Sequence, residues 1–560
     1  MPRTCRASSS GQGLRRKLYD ESQRLGVSIT VSHVAHRSIS KRSIAGAIAT
    51  FAALCAAETL SSIDSTSPTV VEAAGLTFID QFAGTLKDIA VAVFGIHDKT
   101  ALIIGTWIVI IGLGGLVSRS AEHGRRNFHL FTVAVGSIGS ITYLTRPLSN
   151  PPLGLAAIAV GLGIGTFLHR YFISTINAEA SESRSVELPA VDMPAVEMAA
   201  VEMPGVGLGS RRRFITAAAT TVAAAAGAAA LSTTARRRSL NAEPAFTKPL
   251  PTAPLRAISS GETLDNIDGI TPYITPNENF YRIDTALVVP KVDANTWSLT
   301  IDGMVDRPQT LTYSDLIDAS TSVETVTIAC VSNEVGGNLV GNATWQGVRL
   351  ADVLEQAGIQ TGANQIVGHS VDGFTAGMPT ATALDGRIAM IATAMNGQPL
   401  PQRHGFPARL IVSGLYGYVS ATKWLSRIEL TTWGAVDGYW IPRGWSKEAP
   451  IKLTSRIDVP KQSSLSPGPT PIAGIALSPS IGISEVQVSI DDGPWQTTEL
   501  GDALNNNTWV QWHLPWQATS GEHTIRVRAV DSNGTIQDER PRSVAPDGAT
   551  GYHQRRVTVR

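Results

Sequence analysis

Long apolar runs in the first half of the chain constrain its fold more than any other feature. Each run approaches the roughly 17–25 residues with which a helix crosses a bilayer. A buried helix of a soluble protein would carry a polar stripe, which these runs lack almost entirely. The sequence therefore predicts a cytoplasmic tail, 1–43, and an α-helical membrane region of four helices, 44–175. The four runs are 44–60, 101–117, 128–144 and 152–173.

Basic residues predict the orientation of this region. Lys and Arg precede the first run, and further arginines separate the second run from the third and end the fourth. All of them fall on one side if the four runs cross the membrane, and an excess of basic residues marks the cytoplasmic side. The N-terminus is therefore predicted to be cytoplasmic. A low-complexity segment with periodic Pro and acidic residues follows, and it predicts a semi-extended linker, 176–210.

A fifth apolar run follows the sequence SRRRFI at 210–215. Paired arginines, a nearby Phe and a weakly apolar core resemble a twin-arginine export signal, whose partner is the twin-arginine export machinery. The alternative is an ordinary fifth helix with a positive flank. Because the segment is internal, residues 211–235 are predicted to remain as an anchor helix. Either interpretation predicts a multi-pass protein of the cytoplasmic membrane whose second half lies on the extracytoplasmic side.

Charge and cysteine content exclude several functions. The chain carries 46 basic and 46 acidic residues, so it lacks the global positive field of a nucleic-acid-binding protein. Its three cysteines, Cys5, Cys55 and Cys330, are too few and too scattered for a disulfide scaffold, a structural zinc site or iron–sulfur clusters. A haem between His129 and His169 is not expected either, because both histidines lie at the ends of apolar runs.

The exported half divides near residue 455. From 245 to 455, β-branched stretches alternate with a helical stretch at 350–357, which predicts an α+β domain. From 456 to 560, short strands with alternating polarity recur at regular spacing. That spacing predicts an antiparallel all-β sandwich.

Three segments of this half carry a family resemblance. They are NENFYRID at 277–284, TIACVSNEVGGN around Cys330, and LPQRHGFPARLIVSGLYGYVSATKWL at 400–425. Together they resemble the molybdopterin-binding domain of the sulfite oxidase superfamily, and the tail resembles the immunoglobulin-like domain that accompanies it. The resemblance implies a sulfite-oxidase-type α+β catalytic domain, a molybdenum–molybdopterin cofactor, and a homodimer formed through an immunoglobulin-like dimerisation domain.

The resemblance also implies a set of site residues. Cys330 would ligate the metal and be the catalytic residue, since thiolate is the soft ligand that molybdenum prefers; the alternative is a small buried strand residue. Asn277 could instead cap a loop, and His404 and Lys423 could be surface residues. The implied cofactor-binding residues are Asn277, Tyr281, Arg282, Ser370, His404, Arg409 and Lys423.

Two departures from the family bear on the substrate. Sulfite oxidases place arginines just after the ligand cysteine, where this chain has Val331–Glu334, and a tyrosine over the metal, where this chain has Phe374. Both departures weaken sulfite as a substrate and favour oxygen-atom transfer on a small S- or N-oxide. A separate electron-transfer partner is expected, because the exported half carries no second redox motif. The alternatives are a sulfite dehydrogenase or oxidase, and a surface binding protein that holds no cofactor.

Overall fold

The computed structural model describes residues 40–81, 98–120, 123–184, 208–241, 248–251, 263–287 and 289–560. Most of the predicted tail and most of the predicted linker lie outside the described residues. Within them, the order of the chain is a helical region, a mixed α+β region and a β-rich region. This order confirms the predicted fold class.

Long helices make up the N-terminal region, and residues 70–81 are helical as well. Helix α4 continues past 176, where the linker was predicted to begin, because the Ala and Glu residues there are strong helix formers. The predicted linker boundary is therefore wrong at this end. The long helices are α1 (Lys41–Ser61), α2 (Asp98–Val117), α3 (Gly124–Leu144), α4 (Pro151–Arg184) and α5 (Leu208–Asn241).

Helix α1 packs against α2, α4 and α5. Small residues let the backbones approach closely: a Cβ on Gly46 would lie 2.4 Å from the carbonyl oxygen of Gly114 in α2. A Cβ on Gly161 of α4 would lie 2.6 Å from the carbonyl oxygen of Ala53. Close backbone contacts through small residues are typical of helices that associate within a membrane.

The helices alternate in direction. At one end of the bundle, Phe214 near the start of α5 packs with Phe172 of α4 and Ala45 of α1. At the other end, Arg236 near the end of α5 pairs with Glu72, 3.0 Å away. Helices α1 and α5 therefore run in the same direction, and α4 runs in the opposite one.

Among the residues that the structure describes, three helical segments are long and apolar enough to cross a membrane: Lys41–Ser61, Pro151–Ala178 and Arg212–Arg236. The apolar helix Ala101–Val117 is shorter. Large apolar side chains face outward on these helices, among them Ile108, Phe167 and Leu231, which are 64%, 69% and 75% exposed. So much outward-facing apolar surface indicates that the region is associated with a membrane.

The α+β region contains one mixed sheet and one antiparallel sheet. Its strands are β1 (Ser298–Gly303), β2 (Gln309–Thr312), β3 (Ser322–Ala329), β4 (Val340–Arg349), β5 (Gln365–Ser370), β6 (Thr375–Pro379), β7 (Ala389–Met395), β8 (Gln398–Pro399), β9 (Arg409–Val412) and β10 (Leu425–Thr431). One sheet has the order β2-β1-β10-β5-β6, with β1 and β10 parallel. The other has the order β3-β4-β7-β8, with β9 beside β7. The helices are α6 (Tyr313–Ala319), α7 (Leu350–Ala357) and α8 (Gly417–Ser420).

One apolar core joins the two sheets and gives the site a rigid support. Trp345 of β4 is fully buried in it, together with Leu299 and Ile301 of β1. Burial of a large apolar side chain contributes roughly 1.5–3 kcal/mol. Helix α7 lies on this core and ends at Ala357. The next residue, Gly358, has a positive φ of 71°, which glycine adopts without strain.

The β-rich region also consists of two sheets around one core. Its strands are β11 (Thr454–Val459), β12 (Ser464–Leu465), β13 (Gly468–Leu477), β14 (Ile483–Ile490), β15 (Gln496–Thr497), β16 (Glu499–Leu500), β17 (Val510–Ala518), β18 (Gly521–Asp531) and β19 (His553–Val559). The sheets have the orders β11-β13-β17-β16 and β12-β19-β18-β14-β15. Side chains of both, such as Trp512 and Val488, share the core. The predicted all-β region is confirmed, and its immunoglobulin-like nature stays a prediction.

Candidate active site

Cys330 lies directly after β3, where the chain leaves the sheet. Its N–H donates to the carbonyl oxygen of Leu339 at 2.9 Å, and its sulfur accepts the N–H of Ser332 at 3.4 Å. The side chain of Asn333 closes the same loop, because its oxygen accepts the N–H of Leu339 at 2.8 Å. Cys330 is 8% exposed. The thiol is thus presented by a short, internally bonded loop rather than by the strand itself.

Two residues of the β-rich region, Arg456 and His553, contact this loop. Arg456 of β11 donates to the carbonyl oxygen of Gly337 at 2.7 Å. Gly336, with a φ of 77°, lies so close to His553 that a Cβ would come within 2.3 Å of the imidazole ring. Burial, aided by the charge of Arg555, lowers the pKa of His553 to about 4, so the ring is neutral near pH 7. Sequence patterns did not indicate this support, because it joins residues far apart in the chain.

Tyr281 lies near both the Cys330 thiol and Arg409. The pKa of the Tyr281 hydroxyl is raised by burial and then by the charge of Cys330, while the Arg409 guanidinium acts in the opposite direction. Arg409, 4% exposed, lies over the ring of Trp345 at 4.9 Å and donates to the carbonyl oxygen of His404 at 3.0 Å. Burial lowers the pKa of Arg409 to about 10, so it stays charged near pH 7. Its buried Nε has no hydrogen-bond partner among the described residues.

His404 and Asn277 are joined by a hydrogen bond. The Nε2 atom of His404 lies 2.8 Å from the carbonyl oxygen of Asn277. Burial, and then the charge of Arg409, lowers the pKa of His404 to about 3, so a neutral imidazole donates there. Asn277 also accepts a hydrogen bond from Asn396 at 2.8 Å through its side-chain oxygen. His404 is 1% exposed, which excludes the loop-surface alternative.

A group of charged residues adjoins this pair. The Nζ of Lys423 lies 2.6 Å from the carboxylate of Asp284, and the Nε of Arg282 lies 2.8 Å from the same oxygen. Burial lowers the pKa of Lys423 to about 8, and Asp284 opposes that shift. Burial raises the pKa of Asp372, and the negative charge of Asp284 adds to this shift. The N–H of Asp372 donates to the Ser370 hydroxyl at 3.4 Å. Lys423 is therefore not a solvated strand end.

The structure brings the eight predicted site residues into one contiguous group. Tyr281 connects the thiol to Arg409, and Arg409 in turn influences the pKa values of His404 and Lys423. Two acidic members of the group, Asp284 and Asp372, were not predicted. Asp284 stands within the NENFYRID segment, so a search for counter-charges beside Arg282 would have found it.

These residues fit a molybdenum–molybdopterin cofactor. The thiol of Cys330 offers one soft ligand, and the unsatisfied Nε of Arg409 can donate to an anionic or carbonyl group of a ligand. Within the described ranges, no group of three His, Cys, Asp or Glu could hold a metal ion.

Comparison with known proteins identifies the family. Residues 286–440 match the family model described as the oxidoreductase molybdopterin binding domain. The uncharacterized oxidoreductase YuiH of Bacillus subtilis (strain 168) is 33% identical over 176 residues, which are 31% of this chain and 85% of that protein. The chain belongs to the sulfite oxidase superfamily of molybdenum-cofactor oxidoreductases.

Other relatives cover different shares of this chain. The mitochondrial sulfite oxidase of Homo sapiens is 29% identical over 324 residues, 49% of this chain. The chain spans 58% of that protein's length. The sulfite oxidase of Arabidopsis thaliana is 28% identical over 338 residues, 49% of this chain and 85% of that protein. The solved structure of the sulfane dehydrogenase SoxCD of Paracoccus pantotrophus is 22% identical in sequence. The match covers 51% of this chain and 82% of that chain, and the two superpose with a TM-score of 0.47.

Family membership confirms the predicted class of enzyme and the predicted cofactor, and it removes the alternative of a surface binding protein that holds no cofactor. The role of each named side chain stays a prediction. The structure adds that hydrogen bonds and electrostatic interactions link these side chains into one group.

Proposed function

We propose that this protein is a membrane-anchored molybdenum-dependent oxidoreductase that transfers an oxygen atom to or from a small, neutral S- or N-oxide outside the cytoplasm. When bound, the cofactor supplies the two-electron redox chemistry, and the protein binds, orients and shields it. In this proposal Cys330 ligates the metal. Arg409, His404 and Lys423 hold the organic part of the cofactor, while Asn277 keeps His404 oriented.

The balance of charges in the site supports the proposal that the substrate is neutral. Asp284 lies within 3 Å of both Arg282 and Lys423, so its carboxylate offsets part of the positive charge of these two cations. The loop after Cys330 adds no positive charge, because Val331 is buried and apolar and Glu334 is acidic and exposed. An anion as strongly charged as sulfite needs uncompensated positive charge to leave water. A sulfoxide or N-oxide needs only directed N–H and O–H donors.

Sulfite oxidation is the second candidate. It is favoured by the sulfite oxidases that match about half of this chain. Arg409 also supports it, because this buried cation beside Tyr281 keeps its charge near pH 7. The two candidates use the same cofactor and differ in how much net positive charge the substrate meets.

We expect purified protein to reduce neutral S-oxides or N-oxides with a reduced dye at least tenfold faster than it oxidises sulfite with an artificial acceptor. Replacing Asp284 by Asn removes the compensating charge, so kcat/KM for sulfite should rise relative to the S-oxide, by about tenfold for 1.4 kcal/mol of recovered attraction. Steady-state kinetics of both reactions measures this ratio.

Asp302→Asn is the matched control for that experiment. Asp302 lies on β1 and pairs with Arg427 at 2.8 Å, outside the charged group of the site. Its substitution should leave the ratio unchanged. Faster sulfite oxidation than S-oxide reduction by the unaltered protein would favour the second candidate instead.

The membrane arrangement is part of the same proposal. Helices α1 and α5 run in the same direction, and the end of α5 at Arg236 lies near Glu72 and the carbonyl oxygen of Ser67. The α+β region joins the bundle at that end, since the Tyr439 hydroxyl donates to Asp80 at 3.0 Å. Five crossings with a cytoplasmic N-terminus would put the catalytic region outside. The proposal also includes a separate electron-transfer partner, export by the twin-arginine machinery and a homodimer formed through the β-rich region.

An odd number of crossings predicts the behaviour of reporter fusions. A reporter active only outside the cytoplasm should be active when it is fused after Arg560 and silent when it is fused near Ser185. Reporter activity near Ser185 would contradict the proposed number of membrane crossings.

Replacing Arg211, Arg212 and Arg213 by Lys should abolish export if the twin-arginine interpretation holds. The matched control replaces Arg125 and Arg126 by Lys, keeps the charge bias and should not affect export.

A further inference from the structure

A cavity of about 280 Å³ lies between the helical bundle and the α+β region. The two regions meet tightly on either side of it. A Cβ on Gly75, in helical segment 70–81, would lie 3.2 Å from Leu287, and a Cβ on Gly373 would lie 3.0 Å from Pro147. The volume is close to the lower end of the roughly 300–1,000 Å³ typical of small-molecule sites.

The walls of the cavity combine apolar surface, aromatic rings and fixed charges. Leu76 contributes apolar surface from the helical side, and Phe374 and Tyr439, with ring centroids 5.8 Å apart, contribute aromatic surface from the other side. Arg146, paired with Asp80 at 2.6 Å, also lines the cavity. The buried Nε of Arg146 has no hydrogen-bond partner within the described ranges. A second such donor is the Nε of Arg236, whose side chain is 6% exposed.

The cavity adjoins the proposed cofactor site on one side and the end of the bundle on the other. Thr285, which directly follows Asp284, lines it, and so does Asp372, whose pKa depends on the charges of Asp284 and Lys423. On the far side its walls include Arg236, near the end of the apolar helix α5. A ligand with an apolar tail could therefore enter from the bilayer and bring its polar head to the wall of the site.

We propose that this cavity binds the head group of a membrane quinol, which supplies the electrons for the proposed reaction. A quinone presents two carbonyl oxygens to N–H donors, a flat ring to aromatic side chains and a tail to lipid. Oxidation of the quinol to the quinone releases two electrons and two protons. Reduction of an S-oxide to a sulfide consumes two electrons and two protons and releases one water, so the overall reaction balances. This inference rests on the proposed function and names its electron partner.

Three features of the cavity favour a quinone over other occupants. The unsatisfied N–H groups of Arg146 and Arg236 need acceptors, and carbonyl oxygens are acceptors. The carboxylates of Asp80 and Glu72 lie in the same wall and can accept hydrogen bonds from the hydroxyl groups of a quinol. The location at the end of apolar helices favours a lipid-soluble molecule over a soluble dinucleotide.

Photolabelling of the full chain in detergent micelles tests the proposal. The probe is a tritium-labelled azidobenzoquinone with a short isoprenoid tail, and decylubiquinone is the competitor. We expect labelled peptides from 66–80, 145–148 and 285–290, and protection by decylubiquinone. Leu76→Trp, which fills the cavity from a partly exposed helical position, should lower this labelling about tenfold.

Leu116→Trp is the matched control, because Leu116 is 61% exposed on α2 and does not line the cavity. It should leave the labelling unchanged. Equal labelling in both variants, labelling spread over the outer helix surfaces, or protection by an S-oxide instead of decylubiquinone would overturn the proposal.

Molybdenum content and dye-linked turnover of the same preparations keep the two proposals apart. Intact dye-linked S-oxide reduction without specific labelling would overturn the quinol site and leave the proposed function standing. Specific labelling in a protein that turns over neither S-oxides nor sulfite would support the quinol site and contradict the proposed function.

Discussion

Cys330→Ser is expected to abolish turnover of every substrate while leaving the protein folded and in the membrane. Loss of a partner that only orients a metal ligand commonly costs about 10–100-fold, so loss of the ligand itself should exceed about 100-fold. The serine oxygen is a harder ligand than thiolate, yet it can accept the same N–H of Ser332 that Cys330 accepts at 3.4 Å. Steady-state turnover and molybdenum content per chain measure the effect.

Cys55→Ser is the matched control for this prediction. Cys55 is buried in α1, 2% exposed, and lies in the bundle rather than in the group of site residues. The substitution should preserve turnover and molybdenum content. Full activity of Cys330→Ser, or an equal loss in both variants, would contradict the assignment of Cys330 as the metal ligand.

Arg409→Met is expected to lower cofactor occupancy at least tenfold without lowering the thermal stability of the cofactor-free protein. A hydrogen bond to a charged group contributes about 1.5–3 kcal/mol, which corresponds to roughly 10–150-fold in affinity. Removing a buried cation relieves the cost of its desolvation, which offsets the loss of the hydrogen bond to the carbonyl oxygen of His404. Met keeps the contact with Trp345 and removes the buried Nε that lacks a partner.

Molybdenum analysis and thermal unfolding of both forms separate these two effects. Arg387→Met is the matched control, because Arg387 is a partly buried arginine of the same region that pairs with Asp385 at 2.6 Å. It should retain the cofactor. Unchanged molybdenum content in Arg409→Met would show that Arg409 does not hold the cofactor, and a large fall in the melting temperature would indicate a structural role instead.

Local patterns were enough to predict the kinds of elements in this chain. Apolar runs predicted the helices because hydropathy over one stretch decides whether that stretch can lie in lipid. The β-branched stretch before Cys330 predicted β3, and the LADVLEQA segment followed by Gly358 predicted α7. Helix α4 ends later than expected, at Arg184, because good helix formers continue after the apolar run ends.

The sequence by itself determined the membrane-associated helical region, the α+β and β-rich order, and the residue types that suit a molybdenum cofactor. Only the tertiary structure decided how these parts cooperate. It placed Asp284 between Arg282 and Lys423, Arg456 against the loop of Cys330, and a cavity between bundle and site. Such contacts join residues that are often more than a hundred positions apart. Their formation depends on strand pairing and core packing, because no local pattern specifies which distant side chain will meet a given charge.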